Sequence, residues 1–216
     1  MYTFDQMASR VGFVKALEIW QHRLPPDFIG QFTFERLLEV AKGGSSNLKL
    51  AVIKVLCTRA TSFEQWLEVC ATLQSHQTLK STVLQKMTET AASFDHWHHI
   101  YAICPRGNQL EVKAVSEMCS TAITFQQWRT AYQAIPDSDI RGKSKVSERL
   151  VEVGQADDWI ALIKDITSTN NLYDVGITSL AKMQLTEEQW LQICADFSLE
   201  SGIGQLAIKK LSSMIS

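Results

Sequence analysis

Apolar residues recur along this chain at two intervals, one nested in the other. Within short segments they fall at i, i+3, i+4 and i+7, as in Trp66, Val69, Cys70 and Leu73, which is the spacing of one helical face. Over longer range the same columns return at a fixed step: Trp66, Trp97, Trp128, Trp159 and Trp190 are each 31 residues apart. A constant period of this length marks a repeat array, in which each unit is one supersecondary element stacked on its neighbours.

Each unit opens with the signals of a helix start. Ser62, Ser93, Thr124 and Thr186 stand at cap positions, and Gln65, His96, Gln127 and Gln189 follow three residues later. A cap hydroxyl accepts from an early backbone N–H, and a glutamine three residues on reaches back to the cap. Glu64, Asp95, Asp157 and Glu187 put negative charge in the first turn, where the helix dipole favours it. Phe63, Phe94 and Phe125 precede their tryptophans by three residues and share their face. Polar or helix-breaking stretches follow at Lys42–Ser46, Ser75–Gln77, Pro105–Asn108, Pro136–Asp139, Ser168–Asn171 and Glu200–Gly202.

A second amphipathic helix comes next. Its first apolar column is Leu48, Leu79, Leu110, Leu172 and Ile203, interrupted by Arg141. Its second is Ile53, Leu84, Val115, Val146, Ile177 and Ile208; its third is Leu56, Met87, Met118, Leu180 and Leu211, interrupted by Arg149. No segment alternates with period two long enough to suggest a strand. The pattern predicts an all-α chain, a right-handed α-solenoid of about seven helix-turn-helix repeats of ~31 residues. It reads as a single domain over 1–216. An atypical N-terminal capping repeat covers 1–32, with a break at Leu24-Pro25-Pro26-Asp27. The remaining repeats are 33–61, 62–92, 93–123, 124–154, 155–185 and 186–216. Pairs this short bury their apolar faces only by stacking. The five tryptophans are therefore read as the structural repeat core, with Leu37 in the same column one unit earlier.

Composition narrows the function. A hydrophobic content of 45% suffices for a continuous core, and a net charge of −2 argues against a dedicated polyanion binder. No run approaches the ~18 apolar residues of a membrane span. Met1–Asp5 lacks the basic and apolar regions of a signal peptide, so a cytoplasmic location is expected. The cysteines are odd in number, have no metal-like spacing and fall mostly in apolar columns, as reduced thiols would. In His96-Trp97-His98-His99, Asp95 and His99 share a helical face, but nothing completes a metal site. Asp137-Ser138-Asp139 lacks the glycine and terminal glutamate of a calcium loop. Gly43-Gly44 lacks the strand and lysine of a phosphate loop. With no nucleophile–base pair either, the chain is read as non-enzymatic, with no catalytic residue, cofactor or metal.

Charge placement suggests where a partner binds. In the second helices, taken as 47–60, 78–91, 109–122, 139–153, 170–183 and 203–214, Lys and Arg outnumber Asp and Glu 13 to 7; the whole chain has 21 against 23. One helix of each pair lines the concave surface of such solenoids. The reading is a scaffold for a protein or peptide partner along a mildly basic concave face, with contacts at Lys49, Lys80, Lys86, Lys113, Arg141, Lys145 and Lys210. Nucleic-acid backbone binding through the same face is the alternative. A third reading, one module of a larger assembly or a homo-oligomer, expects an exposed apolar end at Ala207, Leu211 and Ile215.

The unit is similar to HEAT and tetratricopeptide helix-pair repeats. The stretch Leu185-Thr186-Glu187-Glu188-Gln189-Trp190-Leu191-Gln192-Ile193-Cys194 resembles the opening of TAL-effector repeats. Lys42-Gly43-Gly44, followed by Leu48 and Ala51, resembles their glycine turn and second helix. That resemblance implies a nucleic-acid partner. The column matching the base-reading position, however, is Leu73, Cys104, Ile135, Ile166 and Phe197, whose residue types predict burial. The architecture is also similar to HEAT-like alkyl-base DNA glycosylases, which implies base chemistry for the nucleic-acid alternative.

Overall fold

Side-chain caps set where the helices begin. In the computed structural model, which describes residues 3–20, 28–73 and 77–215, the Thr3, Ser62, Thr124 and Thr186 hydroxyls accept from the N–H three residues on. In the same four helices the glutamine three residues on bonds back to the cap backbone. At Ser93 the histidine takes the glutamine's place: His96 Nδ1 accepts from the Ala92 N–H at 3.2 Å. At Gln155 the Asp158 carboxylate accepts from the cap N–H at 3.0 Å. Each arrangement satisfies donors that a helix start leaves orphaned.

Fourteen α-helices and no strand are formed by the described residues, and the chain divides into two compact units, Met1–Ala114 and Val115–Ser216. In the first unit α1 (Phe4–Val11) packs on α2 (Phe13–Trp20), α3 (Phe34–Gly43) on α4 (Ser46–Arg59) and α5 (Phe63–Thr72) on α6 (Gln77–Thr90). There α7 (Phe94–Ile103) follows α6 and touches it. The helix α8 (Gln109–Thr121) carries the division between the units. In the second unit the pairs are α9 (Phe125–Ala134) with α10 (Ile140–Val153), α11 (Ala156–Asp165) with α12 (Asn171–Lys182), and α13 (Glu187–Asp196) with α14 (Gly202–Ile215). From α5 on, first helices begin at 63, 94, 125, 156 and 187, keeping the 31-residue step. The proline break at 24–27 and residues Ser75 and His76 of one expected turn lie outside the described residues.

Neighbouring pairs are joined by contacts between residues a little more than one repeat apart in sequence. In the first unit His96 stacks on Phe63 at 4.0 Å, and its Nε2 lies 3.3 Å from the Glu64 carboxylate. In the second, Arg129 reaches Asp165 at 3.1 Å and Lys164 reaches Asp196 at 2.7 Å. Phe125 meets Trp159 edge-on at 4.9 Å. Trp66, Trp97, Trp159 and Trp190 are buried, while Trp128 is half-buried. Leu73, Cys104 and Ile135 are buried, but Ile166 and Phe197 of that column are half-buried.

One helix departs from the repeat. In the second helices the columns Val52, Val83, Ala114, Gly176, Ala207 and Leu56, Met87, Met118, Leu180 are buried. The corresponding residues of α10 are Lys145 and Arg149, and both are exposed. Val146 stays buried, as Ile53 and Leu84 of its column are, and Leu150 is buried where Cys57, Thr88, Cys119 and Ala181 are half-buried, so the inward face is turned by about one position. One residue is a turn of about 100° about the helix axis. Two unpaired charges in the core would cost several kcal/mol each, and rolling α10 replaces them with aliphatic side chains. A two-residue link joins α10 to α11, and in it Gly154 leaves room against the Trp159 indole. Arg149 therefore marks neither a kink nor a buried pair; α10 runs unbroken.

Another expectation fails at α14. Ala207 is fully buried and Leu211 half-buried, because both face α12 and α13 rather than solvent. The side chain of Ile215 lies outside the described residues. The exposed large apolar side chains of the last pair and its turn are instead Leu191, Leu199, Ile208 and Met214.

Candidate partner-binding surface

The outward side of α10 joins two of the expected contacts, Arg141 and Lys145, to Arg149 in one row of cations. Arg141, Lys145 and Arg149 stand four residues apart, so all three occupy one side of the helix at a rise of about 6 Å per step. All are exposed. Arg149 pairs with Glu152 at 2.6 Å, while no ion pair engages Arg141 or Lys145 among the described residues. The helix start is pinned by Asp139, which accepts from the Gly142 N–H at 2.9 Å while its own N–H bonds the Pro136 carbonyl at 2.9 Å. Ile140, beside Arg141, is 77% exposed, which adds an apolar contact to the cationic row.

The other expected contacts are dispersed. In the first unit Lys86 is exposed and pairs with Glu89 at 2.6 Å. The Lys113 ammonium, also exposed, lies 5.5 Å from the Trp97 ring centroid. Lys49 is half-buried. Lys80, also half-buried, borders a cleft of about 320 Å³ with Leu67, Cys70, Leu73 and Ile103. In the second unit Lys210 spans between helices and donates to the Ala181 carbonyl at 2.6 Å, satisfying an acceptor at the end of α12. Lys143 is mostly buried, bonds the Asp137 carboxylate and lies 4.8 Å from the Tyr132 ring centroid. The Lys143 hydrogen bond holds Asp137 below the usual carboxylate range.

In the histidine run, His96 serves the fold. His96 closes the cap of α7, and its remaining nitrogen faces Glu64; His98 and His99 are exposed. Among the described residues no three His, Cys, Asp or Glu side chains gather in a way that could hold a metal ion. Burial, the leading cause in each case, raises the thiols of Cys57, Cys70, Cys104 and Cys119 above their ordinary range. No described helix is long and apolar enough to cross a membrane. No family model, curated protein or solved structure matches the chain.

Proposed function

We propose that this chain is a non-enzymatic scaffold, a right-handed α-solenoid of HEAT-like helix pairs, that binds an acidic protein or peptide partner along the face formed by its second helices. The observation that carries the reading is the α10 row. At three positions where other repeats place core residues, this helix places Arg141, Lys145 and Arg149 and keeps them in water. Stability does not require such a row, since Arg141 and Lys145 engage no ion pair and exposed cations contribute little to folding. A row of exposed cations instead steers and orients an anionic partner. The constant step between helix starts supports the solenoid, and five free thiols, two buried and three half-buried, are in keeping with a cytoplasmic location.

The test compares the proteins retained by the wild-type chain and by the triple variant Arg141→Glu, Lys145→Glu, Arg149→Glu, followed by affinity measurement on a retained partner. The expected outcome is a loss of affinity of about tenfold or more with an unchanged thermal midpoint. Equal retention by both chains would remove the row from the binding surface. Nucleic-acid backbone binding is the second reading, since the same row would track phosphates. It is checked with short labelled duplex and single-stranded DNA and RNA across a salt series. Affinity falling steeply with salt, by roughly 0.9 in logarithmic slope per phosphate neutralised, would replace the protein partner with a nucleic acid.

A further inference from the structure

A polar cleft of about 340 Å³ opens in the second unit between the start of α10 and the α11–α12 turn. Asp137 and Lys143 form one wall, and Thr167, Thr169, Asn170 and Asn171 the other. Tyr132 of α9 completes the lining. Tyr132 is 5% exposed, yet its hydroxyl has no hydrogen-bond partner among the described residues. The ring is buried and the hydroxyl reaches the cleft, where it is a donor and acceptor open to solvent. The Thr167 and Thr169 hydroxyls bond each other at 2.9 Å, and Asn170 Oδ1 accepts from the Leu172 N–H at 2.9 Å, leaving its amide donors uncommitted.

The repeat frame produces this cleft, and local sequence sets its chemistry. Ser81, Pro105 and Asn108 lie two periods before Lys143, Thr167 and Asn170, and they line the equivalent cleft of the first unit. That cleft is about 130 Å³, with Leu84 and Leu110 on its walls. In the second unit the same place is larger and mostly polar.

We propose that the second unit's cleft is a binding site for a neutral, hydroxyl-rich ligand, a small saccharide. The charges on its walls, Asp137 and Lys143, cancel. A free anion is disfavoured because the Asp137 carboxylate is the most exposed of these groups, at 99%. The remaining lining groups, hydroxyls and carboxamides, each offer donors and acceptors together, which is the pattern that vicinal sugar hydroxyls satisfy. Lys143 already covers a face of the Tyr132 ring, so recognition rests on hydrogen bonds without ring stacking, and the dissociation constant is on the order of 1 mM. None of the three exposed α10 cations lines the cleft, so the site stands apart from the partner-binding surface.

The test is an amide chemical-shift titration of the full chain with glucose, galactose, N-acetylglucosamine and maltose, and with sodium phosphate as the anionic comparison. At least one saccharide should give saturable shifts at Thr167, Thr169, Asn170 and Asn171 and none at Ser81 or Asn108. Tyr132→Phe deletes only the unpartnered hydroxyl; it should weaken binding roughly three- to tenfold while leaving the thermal midpoint unchanged. The exposed Asn171→Ala should do the same. The proposal is overturned if no saccharide shifts these amides, if both variants bind as the wild type does, or if phosphate binds more tightly than every saccharide.

Discussion

A Cβ placed on Gly154 would lie 2.5 Å from the Trp159 indole nitrogen, 2.8 Å from the Leu150 carbonyl oxygen and 2.9 Å from the Phe125 ring. Its backbone torsions are ordinary, with φ at −70°, so the demand for glycine here is purely one of space. Trp159 is fully buried and its indole N–H has no hydrogen-bond partner. Tight aromatic packing therefore offsets a polar cost of about 1–3 kcal/mol. Gly154→Ala should destabilise the chain by about 1–3 kcal/mol in urea unfolding. Gly30→Ala, where the added methyl meets nothing within 4 Å, should change stability by less than about 1 kcal/mol. Equal effects at the two sites would mean that the link after α10 is looser than described.

At the scale of the element, α10 shows that a helix keeps its place in an array while turning a different face inward. Its core is Val146 and Leu150, where the repeat columns would have chosen Lys145 and Arg149. Leu150→Ala should cost about 2–5 kcal/mol, the penalty of a cavity in a packed core. Arg149→Ala should stay within about 0.5 kcal/mol, as exposed substitutions do. Met118→Ala, in the same column as Arg149 but fully buried, should resemble Leu150→Ala. An Arg149→Ala loss as large as that of Met118→Ala would restore the unshifted register.

For the whole molecule, the acid limb of stability follows from carboxylates in both units. Hydrogen bonds from Lys143 and Lys164 hold Asp137 and Asp196 below the ordinary range in the second unit. In the first, Arg106 does so for Glu111, and backbone hydrogen bonds at their helix starts do so for Glu35 and Glu64. A carboxylate with a depressed folded-state pKa adds stability above its unfolded value and loses it as pH falls through the folded one. The thermal midpoint should therefore change little on the acid side of neutrality and fall below about pH 4, where unfolded carboxylates take up protons. A midpoint that rose on acidification would contradict these pairings. Glu35, Glu64, Asp137 and Asp196 are exposed and Glu111 is half-buried, so added salt should reduce the effect.

The all-helical class and the positions of most helix starts were legible from residues alone, because caps and apolar periodicity act within one or two turns. Ser62 with Gln65, or Thr124 with Gln127, bonds its own backbone wherever the helix lies. The histidine at 96 was legible as a cap by its place in the column; its stacking on Phe63, 33 residues earlier, was not. Arg149 was visible as an interruption, but whether it bent the helix, was buried or turned outward depended on what packed against α10. Whether Lys210 stays free or bonds Ala181, and whether Tyr132 finds a partner, depends likewise on groups brought near only by the stacking of pairs. Local hydrogen bonds and periodicity thus determined the elements. Competition for burial between neighbouring helices, in which a charge excluded from the core can roll a whole helix, decided which faces remain in water.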